Sequence, residues 1–401
     1  MGGAAGNRCS YPEVTANNEG RIKYKANSLV NISPIRSCPF CGQRKLRKYG
    51  NYSTVVYDLK MIPGGIKRWI VQFDYKRYSC KKCRKTFFPN MISVAPHKYG
   101  RSLVAWTVNQ NIARLQSYRV ITDEMREYFG YHFRGNLPFL FKQQLSRECL
   151  QAYDALMQNV CNEAYLHIDE TDVNIMGLRG YVWVFANTDS AAYLFKPTRE
   201  GDFLKDLLAQ FNGVLISDFY AAYDSLQCPQ QKCLIHLIRD INESLFKNPF
   251  DNELKEMGKD FTQLLAPIIE TVDRYGLKRR HLHKHTESVD RFIAKVGRTS
   301  YASEHSINFQ RRILRYRDKL FTFLGYDGVP WNNNNAEHAI KRFVQLRKVI
   351  GGSSSEKGIQ EYLVLLSVCE TLRLRNLSFL KFLMSGAKTI EEYQMSQKKA
   401  A

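Results

Sequence analysis

The sequence predicts an α/β protein in which a catalytic body, split by a helical insertion, follows a small metal-bound ribbon and a helical segment. Three observations lead to this architecture. Apolar strand-like runs and one helical run succeed each other between Tyr165 and Ser217. Two C-x-x-C pairs, Cys38–Cys41 and Cys80–Cys83, flank a stretch with strand character. Residues 241–329 show apolar positions at roughly 3.6-residue spacing, the period of an amphipathic helix.

With 401 residues the chain is long enough for two or three domains and a sizeable core. The organisation read from it is an arm at 1–35, a ribbon at 36–98, helices at 99–160, a first core part at 161–240, the insertion at 241–329, a second core part at 330–392 and a polar, disordered tail at 393–401. No segment reaches the ~20 apolar residues of a membrane span. The start, MGGAAGNRCSYPEVT, has no apolar signal core, so a cytoplasmic, nucleoid-associated protein is expected.

The net charge of +21 is unevenly spread. Residues 1–150 carry 26 Lys and Arg against 8 Asp and Glu, a net of +18, whereas the remainder carries 33 against 30. A basic front and a nearly neutral back point to a nucleic-acid-binding module joined to a separate catalytic body.

Four of the ten cysteines sit in the two C-x-x-C pairs, 38 residues apart. Thiolates at this spacing close a tetrahedron around zinc, and four of them leave no position for a substrate, so the ion is structural. Gly42 permits the tight turn after the first pair. Between the pairs, Ser53–Leu59 and Trp69–Tyr78 read as a hairpin turning at Pro63-Gly64-Gly65. Arg44, Lys45, Arg47 and Lys48 follow the first pair, and Lys81, Lys82, Arg84 and Lys85 surround the second. Tyr49, Tyr52, Tyr75, Tyr78, Phe87 and Phe88 are interleaved with them. This surface suits phosphates and exposed bases, although most of the aromatics are expected in the ribbon's core.

Residues 101–160 read as helices. Leu103, Val104, Val108, Ile112 and Leu115 share one face, Ile121–Glu124 resembles a capped start, and Pro138 suits a first turn ahead of Phe141, Leu145 and Cys149. These helices suit a DNA-binding segment, a helix-turn-helix, with a plain helical spacer or a dimerisation bundle as the alternative.

In the body, strands are expected at Tyr165–Asp169, Tyr181–Ala186, Ala191–Phe195 and Gly213–Ser217, with a helix at Gly201–Phe211. Asp169 closes the first strand, Asp218 follows the last, and Glu337 opens a helix after the Asn332–Asn335 run, whose side chains are expected to cap free amides. Three carboxylates in such rigid settings suit two magnesium ions, which manganese can replace, in phosphodiester chemistry. Among rival acids, Glu170 should face the opposite side of its strand, and Asp224 should cap or solvate a loop. Cys233 and His236 form a C-x-x-H that needs partners to hold a metal. His236 contacts DNA phosphate or makes a buried strand-to-helix contact, and Arg239, one turn on, suits a phosphate clamp. Lys341, at i+4, pairs with Glu337 or binds phosphate, and Arg342 and Arg347 extend the basic edge. The HLHKH run (His281, His283, His285) reads as a solvated basic turn. Arg311, Arg312, Arg315 and Arg317 contact DNA or face solvent. Gly351-Gly352 should end the helix of Glu337, and Glu356–Arg375 should form another with one apolar face.

The motifs HIDET, WVFANTD, GVLISDFYAAYDSLQCPQQKCLIHLIRDI and NNNNAEHAIKRFVQLRKVIGGSSSEKG resemble, in order and spacing, the DDE insertion-sequence transposases. The match is to the insertion-sequence family sixty-six, with kinship to the Mutator-like group, over roughly residues 160–240 and 330–385. The resemblance implies a ribonuclease-H-like core, with Asp169 on its first strand, Asp218 after its fourth and Glu337 on a later helix as the catalytic triad. In the Mutator-like kin a C-x-x-H follows the second Asp near the active site. The resemblance implies strand cleavage and strand transfer on DNA, at terminal inverted repeats and target DNA, by a homo-oligomer. A non-catalytic regulator derived from such an enzyme and a structure-selective nuclease are the alternatives.

Overall fold

A computed structural model describes residues 25–89, 98–133, 135–160, 162–175, 178–350 and 355–400. The chain forms two compact units, residues 1–107 with 122–134, and residues 108–121 with 135–401.

The first unit is built on a long antiparallel hairpin, β2 (Leu46–Ile62) and β3 (Gly65–Cys80), in register from Leu46↔Cys80 to Ile62↔Gly65. Pro63-Gly64 closes it, and Gly65 sits at φ 135°, where a side chain would strain the backbone. A short strand, β1 (Ser28–Asn31), pairs parallel with β3, and β4 (Thr86–Phe87) pairs antiparallel with its end. The ribbon sheet therefore recruits residues from the stretch read as an arm, because β3 extends far enough to offer β1 a free edge. The cluster at the cysteine end is small: Cys38, Tyr78, Cys80 and Phe87 are buried, with Ile35, Cys41, Leu46 and Cys83 against them. A core of that size needs a metal or a similar staple.

Helix α1 (Arg101–Ile112) starts on Asp58 of β2, whose Oδ1 accepts the Leu103 amide at 2.8 Å. A Cβ on Gly100 would lie 2.1 Å from the Asp58 side chain, so only glycine allows this approach. Tyr131 donates its hydroxyl to the carbonyls of Asp58 and Trp69, tying residues after α2 (Tyr118–Phe129) to the hairpin. Helix α2 begins three residues before Ile121, the predicted start, because Ser117 Oγ accepts the Val120 amide and supplies the cap.

In the second unit five strands form one sheet in the order β7-β6-β5-β8-β9: β5 (Tyr165–Ile175), β6 (Leu178–Ala186), β7 (Ala191–Lys196), β8 (Val214–Ser217) and β9 (Gln230–Lys232). β5, β6 and β7 form an antiparallel meander, while β8 joins β5 and β9 in parallel. Strand β5 does not end at Asp169. It pairs with β6 through Asn174↔Arg179, so Asp169 lies mid-strand. Alternation sends Leu166, Ile168 and Leu215 into one core with Trp183, Phe185 and Tyr223. Val214 and Ile216 enter the other, with Leu234 and Leu237.

Helices α3 (Leu137–Glu148) and α4 (Leu150–Val160) precede the sheet. Pro138 lies in the first turn of α3, and Phe141, Leu145 and Cys149 are buried, as their spacing predicted. The helix expected over 201–211 is shorter, α5 (Phe203–Leu207). The insertion is helical: α6 (Leu234–Lys247), α7 (Asn252–Tyr275), α8 (Arg279–Leu282), α9 (Thr286–Arg298), α10 (Glu304–Arg315) and α11 (Arg317–Leu320) share one apolar cluster. The run 309–324 is not one helix, because it breaks at Tyr316, buried against the insertion. Nor is HLHKH a solvated turn throughout. His285 is buried with its Nε2 2.8 Å from Thr271 Oγ1, and His281 stacks on Tyr275.

The chain then returns through α12 (Asn334–Ile350), α13 (Glu356–Leu374), α14 (Phe379–Ser385) and α15 (Ile390–Ala400). Gly351-Gly352 lies outside the described residues. Helix α13 is buried on nearly every side rather than along one apolar face. Its two buried carboxylates are matched by cations: Glu361 pairs with Lys142 at 2.6 Å, and Glu370 pairs with Arg342 and Arg373. The tail predicted to be disordered from 393 is helical instead, because Ile390 and Tyr393 are buried and Tyr393 packs edge-on against Phe382.

Candidate active site and metal centre

The β5–β8 seam brings two of the candidate acids together. The register runs Tyr165↔Val214, Leu166↔Leu215, His167↔Ile216. Continued two residues, it brings Asp169 beside Asp218, on the same face of the sheet. Each aspartate is steadied by a local amide. Asp169 Oδ1 accepts from Glu170 N at 2.9 Å, and Asp218 Oδ1 accepts from Tyr220 N at 2.8 Å. Burial pushes the Asp169 carboxyl up to about 7, with the charges of Glu170, Asp218 and Glu337 adding to the rise.

Glu337 lies in the first turn of α12, its amide bonded to the Asn333 carbonyl. Asn333 is fully buried and does not cap the helix with its side chain; within the asparagine run it is Asn332 whose Oδ1 accepts a free amide, that of Asn334, at 3.2 Å. The Asn333 Nδ2 donates to the Ile168 carbonyl at 2.9 Å, and its Oδ1 lies 3.0 Å from His167 Nδ1. Its backbone amide donates to Cys233 Sγ at 3.2 Å. One side chain thus joins the start of α12 to the strand of Asp169. Because the Asn333 oxygen must accept, His167 Nδ1 donates, and burial holds this imidazole neutral by pushing it down to about 4.

The carboxylate of Glu337 also has neighbours on the insertion side. His236 Nε2 lies 3.8 Å from Glu337 Oε1, and Cys233 Sγ belongs to the same group of possible metal ligands, all within 4.8 Å. Cys233 is fully buried at the start of α6, and His236 is half-buried, so the C-x-x-H faces the site from both. Arg239, one turn on, is exposed beside the apolar side chains of Ile235, Ile238 and Phe246. Lys341 is not the partner of Glu337. It lines a separate cavity of about 610 Å³ with His338, Arg342 and Glu370.

Several basic residues read as a free edge are structural. Arg342 is held by Glu370 and the Ala113 carbonyl, and Arg347 donates to the Asp172 carbonyl. Arg312 pairs with Asp240 at 2.6 Å over the ring of Phe219, while Arg311 and Arg317 are exposed. Asp224 does not solvate a loop. It pairs with Lys232, Arg315 and Lys319 and accepts from Tyr316.

Sequence reasoning missed Lys232. It is fully buried, lies 3.2 Å from Ser217 Oγ and is flanked by the rings of Tyr223 and Tyr316. Ser217 in turn donates to the Asp218 carbonyl, so a buried cation braces the strand end that presents Asp218. Only its place in a strand otherwise suited to burial could have signalled this. Glu170 faces away from Asp169, as alternation requires, and is held by Arg199 and the Tyr223 hydroxyl.

In the first unit the four cysteines converge. Cys38 Sγ lies 3.6 Å from Cys83 Sγ and Cys41 Sγ lies 3.5 Å from Cys80 Sγ, close to the ~3.8 Å edge of a regular tetrahedron with zinc–sulfur bonds of ~2.3 Å. The two knuckles match. Gly42 N donates to the Cys38 carbonyl and Arg84 N to the Cys80 carbonyl, with φ of 69° and 59°. Arg84 thus takes the left-handed position that glycine fills in the first knuckle. The amide of Cys83, aimed at its sulfur, holds the Cys80 thiol down at about 6. This set can hold a zinc ion.

Arg44, Lys45, Arg47, Lys48, Lys81, Lys82, Arg84 and Lys85 are all exposed, and among the described residues none has an ion-pair partner. The aromatics divide: Tyr78 and Phe87 stack in the core, whereas Tyr49, Tyr52 and Phe88 are exposed. Arg47 lies over Tyr49, and Lys85 over the exposed ring of Phe40.

No helix of the described residues is long and apolar enough to cross a membrane. The chain is similar to the uncharacterized protein y4hP of Sinorhizobium fredii, 21% identical over 87% of this chain and 69% of that one. The family model described as "Transposase IS66 family" matches residues 97–361, which span the seam, the insertion, the C-x-x-H and Glu337. With two thirds of its length under that model, the chain belongs to the IS66 transposase family.

Proposed function

We propose that this transposase cuts and joins DNA by a DDE mechanism in which Asp169, Asp218 and Glu337 hold two magnesium ions on a ribonuclease-H-like core. The single observation that carries the reading is the β5–β8 register, which continues to set Asp169 beside Asp218, with Glu337 near enough for its charge to raise the buried Asp169 carboxyl. A buried carboxyl with further carboxylates beside it suits a site that binds cations. The strand order, with the meander β5–β7 followed by parallel β8 and β9, supports the fold.

Magnesium is normally held by one or two carboxylates and completes its shell with water and phosphate oxygens, so three open carboxylates fit it. Bound there, the ions would activate the attacking oxygen and stabilise the leaving one. In the first step water attacks the phosphodiester at the element's end, forming a 5′-phosphate and freeing the 3′-hydroxyl. In the second, that hydroxyl attacks a target phosphodiester, forming the new bond and releasing the target's 3′-oxygen, which takes up the proton. Lys232 and Asn333 fix the two elements that present the acids. The zinc-held ribbon, with its eight exposed Lys and Arg side chains, grips the phosphates of the terminal inverted repeats, and the protein acts on DNA as a homo-oligomer.

Asp169→Asn, Asp218→Asn and Glu337→Gln keep shape and remove the anionic ligand. Each should abolish magnesium-dependent strand cleavage of DNA carrying the element's ends, with binding in a gel-shift assay retained. Undiminished cleavage by all three variants would refute the enzyme.

A further inference from the structure

We infer that Cys233, His236 and Glu337 form a second metal site, selective for zinc-like ions, in which occupancy withdraws Glu337 from magnesium. The C-x-x-H supplies two ligands, too few alone, and the fold brings the third from the other side of the insertion. The three ligand atoms lie within 4.8 Å of one another, and His236 Nε2 and Glu337 Oε1 are 3.8 Å apart. Ligands of a tetrahedral ion bonded at ~2.0–2.3 Å lie at comparable separations.

A second observation points independently to a cation. Glu337 Oε1 is buried and accepts no hydrogen bond, and His236 Nδ1 is likewise buried without a partner. A buried carboxylate oxygen facing an imidazole nitrogen beyond hydrogen-bond distance is costly unless something positive stands between them. The sulfur is prepared for the same role. Cys233 is the residue before α6, a helix of fourteen residues, and its Sγ receives the Asn333 amide. That amide works against the burial that raises the thiol, so the proton leaves when a metal bonds to the sulfur.

The ligand set decides the metal. One sulfur, one imidazole and one carboxylate suit zinc, whereas magnesium prefers oxygen ligands alone. Three protein ligands leave a fourth position for water, unlike the closed four-cysteine site. On binding, zinc displaces the thiol proton to solvent and bonds to sulfur, Nε2 and a Glu337 oxygen, with no change in oxidation state. The site itself is independent of the proposed chemistry, but the inhibition rests on Glu337 serving magnesium.

The test is metal analysis and cobalt(II) spectroscopy of the folded full-length chain, with cleavage assays alongside. At saturation in micromolar zinc the wild type should bind about two ions per chain, one in the ribbon and one here. Cys233→Ser and His236→Asn should each bind about one. The cobalt difference spectrum, wild type minus Cys233→Ser, should show the charge-transfer band of a single thiolate. Zinc should inhibit magnesium-dependent cleavage by the wild type and leave Cys233→Ser uninhibited. One ion per wild-type chain, or two in both variants, would overturn the site. If either variant fails to fold, the wild-type stoichiometry still decides. Two ions at saturation, with no cleavage in magnesium before zinc is added, would uphold the site and refute the nuclease reading, whereas cleavage in magnesium with one ion at zinc saturation would do the reverse.

Discussion

Asn333 donates its side-chain amide to the carbonyl of Ile168, the residue immediately before Asp169, across an interval of the chain that includes the whole insertion. That bond and its companion to His167 link the strand of one acid to the start of the helix of another, and Arg347 joins the same two elements further along through the Asp172 carbonyl. Asn333→Ala should therefore lower cleavage on the order of 10–100-fold, because sub-ångström displacement of catalytic groups is costly. Leaving His167 and the Ile168 carbonyl unsatisfied should also cost about 2–3 kcal/mol in urea unfolding. Wild-type activity would show that α12 is held by other contacts.

The Asp169 carboxyl titrates near 7 in the folded chain, against ~3.9 when unfolded. Between those values the folded chain keeps a proton that the unfolded chain has released. This group therefore removes stability as pH rises from about 4 to about 7, and the full penalty persists above that. Asp169→Asn should be more stable than wild type by on the order of 1–3 kcal/mol at pH 8 in chelator. The two should be equal near pH 4, and magnesium should close the gap at pH 8. Urea titrations at both pH values check this, and a gap independent of pH would contradict it.

The eight exposed Lys and Arg side chains of the ribbon predict a steep salt dependence. Replacing Arg44, Lys81, Lys82 and Lys85 by Ala should reduce the slope of log affinity against log salt by up to ~0.9 for each duplex phosphate that is no longer neutralised. Arg84 is left in place because it occupies the left-handed turn of the second knuckle. Fluorescence anisotropy across a salt series reads the slope, and an unchanged slope would move the phosphate-binding surface elsewhere.

Tyr393 sits 2% exposed in a helix where polar composition suggested none. Tyr393→Ala should cost about 3 kcal/mol of stability, the usual penalty for truncating a buried aromatic. A chain unaffected in thermal unfolding would restore the disordered tail.

The legible parts of the sequence were those with short-range logic. The C-x-x-C knuckles, the strand alternation around Leu166 and Ile168, and the period of α7 each announce themselves within a few residues. What stayed hidden depends on distant partners. Arg342 and Arg347 look like free cations until Glu370 and the Asp172 carbonyl arrive, and Lys232 looks like an ordinary strand lysine until Asp224 closes over it. Asn333 illustrates the limit. Its neighbours make it look like a helix cap, and its use as a joint needs a carbonyl far upstream. Glu337 was visible as a first-turn acid, but its nearness to Cys233 and His236 was not.

The 118 residues that separate Asp218 from Glu337 also order events in time. A ribosome delivers the cysteine ribbon and both aspartates well before α12 emerges, and until then His167 and the Ile168 carbonyl wait for their asparagine partner. The nascent chain thus passes through a long interval in which its nucleic-acid grip can form while its third acid is still unmade. On the mechanism proposed above, translation itself would act as a safety catch, because a message truncated anywhere within the insertion lacks the codon for Glu337 while encoding the basic ribbon.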